Sequence, residues 1–579
     1  MEDLRELIYK KALVNAYKHN GKASLDAVVR KIVFYKPEIK KEIKNYIEII
    51  KEVLEEVNSL SLDEQYSILL VKYPEELKEE KVQVKRFEFP VLHDLNKKVV
   101  TRFAPNPDGP LHIGNIRSAL LSYEYSKRFN GKFILRFEDT DPRTKKPILH
   151  LSPSEKNDYQ YIIEDLEWLG IIPDEIYIQS DRLNIYYKNI EELLKKGFAY
   201  VCLCTKEEIK ENRTKGIECV HRNSDPEHNL KLFYEMLNGN IKDGVIRIKT
   251  DMKHEDPSVR DWIAFRIIDP KIYVHPRIEK IKEILGYEPY LWPTYNFSVS
   301  IDDHFMGVTL VFRAKEHINN TIKQSYIFKY FNWEEPKAIH YGRIKVAELT
   351  LSKSKIVKGY KDFADPDLAT IMAFRKRGFL PESIKNVILE LGIKPIEATI
   401  SLENLYSINR KIIDYATNRY FFVYEPVSIK LKLQEKMTIR RQLHPSRKDF
   451  FEFELEPNPE ILICKNDLED KDFEVRLISL GNIKIKKLNG NYEGELSKEQ
   501  SLEYAKEKNL KFIQWVPSNK KIKCKIITPS KINKNKLIEG YCEAEVSKLK
   551  INTVIQFLRF GFVKLDRKND EYLFYYLHD

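Results

Sequence analysis

Two short stretches of this 579-residue chain bring together side chains suited to chemistry. The first is His112-Ile113-Gly114-Asn115, which follows a turn-forming run from Pro105 to Pro110. From Leu111 onward, Leu111, Ile116, Leu120 and Tyr123 recur at helical spacing until Asn130-Gly131 stops them. A helix N-terminus offers unpaired N–H groups and partial positive charge, so a phosphate anion is favoured there. His112 adds a hydrogen-bond donor, and Gly114 lets a flat base lie on the backbone. The bland reading of the same four residues is a helix that begins with a surface histidine. The second stretch is Cys202-Leu203-Cys204, followed after fourteen residues by Cys219-Val220-His221. Four soft or borderline ligands in two close pairs suffice for a tetrahedral zinc ion, which would be structural because no coordination position is left for a substrate. Plain buried cysteines fit the same pattern, and the residues leave both readings open.

The elements that must position these residues can be read from spacing. Val99 to Phe103 and Phe133 to Phe137 are β-rich runs on either side of the helix, so the unit is strand, loop, helix, strand. That is the start of a nucleotide-binding α/β sheet, in which ligands sit beyond the carboxyl ends of the strands. Arg102 and Glu138 lie at or near those ends and can share one crevice; the plain alternative is an ion pair tying two strands. From about residue 200 to 290 the pattern is interrupted, with Gly244 to Thr250 alternating as a strand, and the sheet is expected to resume around Trp292 to Phe297.

Outside this region the periodicity changes twice. Residues 1 to about 75 read as amphipathic helices, with Leu4, Ile8, Ala12 and Ala16 on one face and Ile43, Tyr46, Ile47, Ile50 and Leu54 on another. Tyr73 to Pro90 is a charged connector, and helical spacing returns at Leu368, Ile371 and Met372 and at Ile384, Val387, Ile388 and Leu391. From about Tyr420 alternating strands take over: Val427 to Leu433, Phe450 to Leu455, Val475 to Leu480 and Lys521 to Ile527. Regular strands over such a length predict a pair of β-barrels.

Composition sets the outer limits. A chain of this length holds several domains, and 42% apolar with 32% charged residues is ordinary globular material. A formal charge of +11 is consistent with a polyanionic partner or with a lysine-rich proteome, and composition does not choose. No apolar run has membrane-span length and the acidic N-terminus lacks a signal-peptide core, so a cytoplasmic protein without membrane contact is expected. Six cysteines in so long a chain are no disulfide framework, in keeping with a reducing compartment.

The proline-rich turn with His112 to Asn115, the run Arg136-Phe-Glu-Asp-Thr-Asp141 and the downstream Leu351-Ser-Lys-Ser-Lys355 resemble the HIGH and KMSKS signatures of class I aminoacyl-tRNA synthetases. With Asp251-Met-Lys-His, Val259-Arg-Asp-Trp, Val299 to His304 and Asn418 to Phe422, the chain is most similar to the glutamyl branch of archaeal type. The resemblance implies a multidomain α/β protein. It would have an N-terminal helical extension and linker (1–95), a Rossmann-like catalytic domain (96–200 and 291–358), and an inserted tRNA acceptor-binding domain (201–290). A helical stem-contact domain (359–419) and anticodon-binding β-barrels (420–579) would follow.

The resemblance also implies roles. ATP would be bound by Pro105, His112, Gly114, Asn115, Lys353 and Lys355, with His112, Asn115 and Lys353 taking part in catalysis and Mg2+ accompanying the nucleotide. Asn115 replaces the signature's second histidine and is given a supporting part. Lys353 is in register with the signature's second lysine, with Lys355 in reserve. Glutamate would be held by Arg102, Glu138, Tyr295 and Arg313, with Glu138 receiving the ammonium group and Asp302-Asp303-His304 helping to build the pocket. Glutamate and glutamine have nearly one shape, so charge must tell them apart, and a guanidinium is a fitting partner for a carboxylate. Arginine at 313, and valine at 299 where the glutaminyl branch has histidine, favour glutamate. Some synthetases of this family carry zinc where Cys202, Cys204, Cys219 and His221 stand. The implied reaction is ATP-dependent charging of tRNA(Glu), with tRNA(Gln) a second candidate acceptor, by a monomer. A glutaminyl enzyme and a catalytically silent tRNA-binding scaffold are the rival readings.

Overall fold

A computed structural model describes residues 2–19, 21–37, 39, 43–77, 98–144, 157–346, 362–488, 490–534 and 536–579. The chain divides into two compact units, one of Met1–Arg86, Phe374–Ser383 and Glu403–Asp579, the other of Phe87–Ala373 and Ile384–Leu402. Among the described residues no helix is long and apolar enough to cross a membrane.

The first unit begins with helices α1 (Glu2–Lys18), α2 (Leu25–Tyr35), α3 (Ile43–Asn58) and α4 (Leu62–Lys72). Their apolar stripes converge on a core of Ile8, Ala12, Ala16, Val28, Ile32, Ile50, Leu54 and Leu69, as amphipathic spacing requires. The start of α4 is fixed by a capping box in which the Ser61 hydroxyl accepts from the Glu64 N–H and the Glu64 carboxylate accepts from the Ser61 N–H. The rest of this unit is largely β. One seven-stranded sheet runs in the order 511–513, 473–477, 481–488, 491–496, 426–432, 460–464, 516–517. A second runs 419–420, 554–557, 561–568, 572–578, 521–527, 537–543, 422–424. Each barrel-like sheet closes over its own core, Ile429, Ile461, Ile483 and Trp515 in one, Phe422, Ile526, Phe557 and Phe574 in the other.

In chain order the second unit starts β1 (Val100–Phe103), α5 (Ile113–Arg128), β2 (Lys132–Phe137), α6 (Asp158–Trp168), β3 (Glu175–Ile178) and α7 (Leu183–Lys195). It continues β4 (Ala199–Cys202), α8 (Lys206–Lys215), α9 (Pro226–Leu237), β5 (Val245–Ile248), β6 (Ile263–Ile267), α10 (Ile278–Leu285) and β7 (Leu291–Pro293). Then come α11 (Tyr295–Phe305), β8 (Leu310–Ala314), α12 (Ile318–Phe331), β9 (Lys337–Tyr341), β10 (Ile344–Val346) and, after further helices, β11 (Ala398–Ile400).

The central sheet is wholly parallel in the order β3-β2-β1-β8-β9. Helix α5 covers one face, where Leu121 and Tyr125 pack on Val99, Leu310, Phe312 and Tyr341. The other face buries Val100, Ile134 and Val311 with Met306 and Val308. Arg102 stands beside Ile134 in the register of β1 and β2, and Thr101 beside Leu310 in that of β1 and β8. Alternation along the strands therefore turns Arg102, Arg136 and Arg313 to the face opposite α5. The tight return from α5 into β2 needs Gly131, where a Cβ would stand 1.9 Å from the Val99 carbonyl oxygen.

The interruption in the sheet is a separate antiparallel sheet in the order β4-β5-β6-β7. Trp292 does not resume the central sheet, because Leu291–Pro293 pairs with β6 as the last strand of the inserted sheet. Tyr295 to Phe297 are helical, since Pro293 ends the ladder and Thr294, in an extended conformation, is the N-cap of α11. The central sheet resumes only at Leu310.

Candidate active site

The carboxyl ends of β1 and β2 and the N-terminus of α5 meet at one edge of the second unit. His112 is the N-cap of α5, extended at φ −122°, ψ 161°. Its Nδ1 accepts from the Gly114 N–H at 3.1 Å, while its own N–H donates to Asn115 Oδ1 at 2.8 Å. A neutral imidazole that accepts at Nδ1 carries its proton on Nε2. Asn115 uses its carbonyl oxygen within the cap and keeps an amide NH2. The loop before α5 is tied at two points: the Leu111 N–H donates to Asp165 of α6 at 2.9 Å, and the Glu138 N–H donates to the Pro105 carbonyl at 3.0 Å.

On the opposite face of the sheet the predicted amino-acid residues cluster. Arg313, at the end of β8, is 6% exposed and donates through Nη1 to Thr321 Oγ1 at 3.2 Å and Gln324 Oε1 at 2.8 Å of α12. Its Nε is buried with no partner, and among the described residues no carboxylate lies within ion-pair reach of it. Burial, offset in part by Tyr295 and reinforced by the like charge of Arg102, lowers its pKa. Burial likewise raises the Tyr295 phenol, with Glu138 pushing further and Arg313 and Arg102 opposing. These mutual influences put the polar groups of Arg102, Glu138, Tyr295 and Arg313 within electrostatic reach of one another.

Glu138 is 8% exposed and meets Arg136 Nη2 only at 3.4 Å, so burial raises its pKa more than Arg136 and Arg102 lower it. Asp303 of α11 is the contrasting acid. Arg102 donates to it through Nε at 3.2 Å and Nη2 at 3.3 Å, and Arg136 Nη1 donates at 2.6 Å. Burial alone would raise this carboxyl, but the Arg102 and Arg136 guanidiniums hold it down to about 2. Beside it Asp302 accepts from Arg182 at 2.7 Å, Tyr186 at 2.7 Å and Gln179 at 3.0 Å.

Several partners differ from expectation. Arg102, expected to meet the amino acid, is held by Asp303, 201 positions away in sequence, and the alternative pair with Glu138 is not formed. His304, expected in the pocket, stacks on Trp333 with ring centroids 3.6 Å apart and the planes at 2°. Arg136, Thr321 and Gln324 join the site without a motif that marks them. Arg136 lies two residues before Glu138 on one strand, and Thr321 and Gln324 lie on one face of α12, so period-2 and period-3.6 spacing of polar residues was the available signal. Lys353 and Lys355 lie outside the described residues.

Family models agree with this architecture. Residues 98–415 match the catalytic domain of tRNA synthetases class I (E and Q), and 417–505 and 512–566 match the two anti-codon binding domains of the same enzymes. The chain belongs to the class I glutamate and glutamine tRNA synthetases. Among curated relatives, a glutamate--tRNA ligase of Pyrobaculum islandicum is 44% identical over 586 residues, all of both chains. One of Pyrococcus horikoshii is 45% identical over 594 residues, again all of both chains, and one of Thermococcus kodakarensis is 44% identical over 98% of each.

This synthetase carries a second polar cluster at the edge of its inserted sheet. Cys202 ends β4, Cys204 precedes the Thr205 cap of α8, and Cys219 and His221 follow α8 after the left-handed Gly216. Cys219 Sγ lies 3.5 Å from Cys202 Sγ, 3.5 Å from Cys204 Sγ and 3.5 Å from His221 Nδ1, and all four ligand atoms fall within 4.8 Å of one another. Zn–S bonds of about 2.3 Å at tetrahedral angles put sulfurs roughly 3.8 Å apart, so the donor set and its spacing fit zinc.

Proposed function

We propose that this synthetase activates L-glutamate with ATP and transfers it to the 3′ end of tRNA(Glu), with tRNA(Gln) the second acceptor to be assayed. The reading rests above all on Arg313: a buried guanidinium, steadied by Thr321 and Gln324, whose Nε has no partner and which meets no carboxylate among the described residues. A side-chain carboxylate would complete it. An amide would turn its own NH2 toward donors, which a buried site strongly penalises. The raised pKa of Glu138 supports the other end of the assignment, because an arriving ammonium group gives that buried carboxylate a nearer cation than Arg136 at 3.4 Å.

In the first step the glutamate α-carboxylate attacks the α-phosphorus of ATP and the bond to pyrophosphate breaks. Here the protein positions reactants and stabilises spread negative charge. The α5 N-terminus and His112 Nε2–H hold phosphate oxygens, Asn115 steadies the His112 turn, and Pro105 keeps the loop against Glu138. Lys353, with Lys355 in reserve, is assigned to the departing pyrophosphate, and Mg2+ accompanies the nucleotide. In the second step a terminal ribose hydroxyl of the tRNA attacks the glutamyl carbonyl and AMP leaves. Zinc on Cys202, Cys204, Cys219 and His221 would hold the edge of the inserted sheet in shape. The enzyme is assigned to the cytoplasm as a monomer. Charging assays with glutamate and glutamine on both tRNAs test the reading. Glutamate transfer dependent on ATP and tRNA is expected, and efficient glutamine transfer would overturn it.

A further inference from the structure

Arg117 stands on the second turn of α5, 1% exposed, and the chemistry above makes no use of it. Every hydrogen bond it makes goes to a backbone carbonyl. Nη1 donates to Gly342 at 2.6 Å, Nε and Nη2 donate to Gly392 at 3.1 and 2.6 Å, and Nη2 reaches Leu391 at 3.3 Å and Lys394 at 3.4 Å. Its guanidinium carbon lies 4.7 Å from the centre of the Tyr341 ring. Among the described residues it has no carboxylate partner. A buried cation is costly unless every donor is used, and here the planar fork is used to clamp two backbone segments to one helix.

The clamped segments lead somewhere specific. Gly342 follows β9 and donates its N–H to the Lys394 carbonyl at 3.0 Å; a Cβ there would stand 1.9 Å from the Ile396 carbonyl oxygen, so no other residue fits. The chain then enters β10, in parallel register with β11 from Ile344 against Ala398 to Val346 against Ile400. After Val346 comes the stretch that carries Lys353. On the far side of that stretch the chain comes back to the same helix start. The Ile113 N–H donates to the Ala369 carbonyl at 3.1 Å, the Ile371 N–H donates to the Leu111 carbonyl at 2.8 Å, and His112 bridges to Thr370. Both flanks of the lysine-bearing stretch are therefore fastened to the first two turns of α5.

We propose that Arg117 is a positioning residue for adenylate formation: it fixes the strand that leads into the Lys353 stretch relative to the helix terminus that holds the phosphates. The proposal rests on the assignment of Lys353 to pyrophosphate. Arg117 touches no substrate and acts through the backbone it holds. A lysine keeps the charge but is a point donor on a flexible stem, and cannot bridge Gly342 and Gly392 together.

The test uses the full-length protein with tRNA and follows glutamate-dependent ATP–pyrophosphate exchange, glutamate KM and thermal midpoint. The variants are Arg117→Lys, Arg117→Gln, Lys353→Ala and the double variant Arg117→Gln, Lys353→Ala. Misplacement by about 1 Å costs on the order of a hundredfold in rate, so kcat should fall by roughly that factor in both Arg117 variants with glutamate KM unchanged. The double variant should be little slower than Lys353→Ala, because two residues acting through one contact are not additive. Full activity in Arg117→Lys would assign the effect to charge alone and overturn the proposal. So would an unchanged kcat with only a lowered midpoint, or penalties that multiply. Wild-type exchange in Lys353→Ala would sink the lysine assignment instead, and the same cycle with Lys355→Ala would then decide for Arg117.

Discussion

The crevice at the end of the central sheet and the cysteine cluster on the inserted sheet are both buried polar sites, but they are finished to different degrees. In the crevice two groups stay incomplete: Arg313 has an unpartnered Nε, and Glu138 reaches its nearest cation at only 3.4 Å. In the cluster three sulfurs and one imidazole nitrogen already face a common point, within 4.8 Å of one another. A ligand that comes and goes needs partners left open for it, at a cost to the free protein. A resident ion needs its donors gathered beforehand and no position left over. The first arrangement suits turnover and the second suits folding.

Substitutions can break that contrast, and the largest effect is expected at Arg313. Arg313→Gln should lower kcat/KM for glutamate by about thirtyfold or more, since removing the partner of a desolvated charge costs roughly 2–5 kcal/mol. The thermal midpoint should change little or rise. Steady-state kinetics with glutamate and glutamine checks this, and a loss under about tenfold would mean that another residue meets the side-chain carboxylate. In the cluster the balance should reverse. Cys219→Ser should destabilise the protein by about 3 kcal/mol and abolish zinc binding at the proposed site, while glutamate KM stays as it was. Metal analysis and melting on the same sample decide it; zinc-free wild-type protein would leave these residues as ordinary core.

Legibility in the sequence followed the range of the interactions. The strand, turn and helix around His112 were readable because their punctuation is local: Pro105 to Pro110 before the helix, Asn130-Gly131 after it. The cysteine set was readable because its members come in close pairs. The Arg102–Asp303 pair was not, because a bond between residues 201 positions apart depends on which helix the sheet buries, and no spacing rule carries that. Gln324 carries little local signal, since a polar residue on a helix is usually solvated, yet here it is 4% exposed and holds Arg313. The sheet is expected to resume around Trp292 to Phe297, and Pro293-Thr294 instead marks the boundary between β7 and α11.

Within the crevice the two acids sharpen the comparison through pH, with opposite signs. Asp303 has a folded pKa of about 2 against an ordinary 3.8, so its stabilising contribution is present above 3.8 and is lost as pH falls toward 2. That contribution is about 2 kcal/mol, and acid titration should show the wild type losing that much more stability than Asp303→Asn across this window. Glu138 is the smaller and inverse case. Its folded pKa lies above the ordinary 4.5, so it favours the folded state fully only below 4.5, and the benefit is lost as pH rises through the folded value. Glu138→Gln should therefore stabilise the ligand-free enzyme at neutral pH and hardly at all at pH 4, while raising glutamate KM. Denaturant melts at the two pH values measure the difference directly. A variant less stable than wild type at neutral pH would show that Arg136 and Arg102 already satisfy this carboxylate, and would remove Glu138 from the groups left open for a ligand.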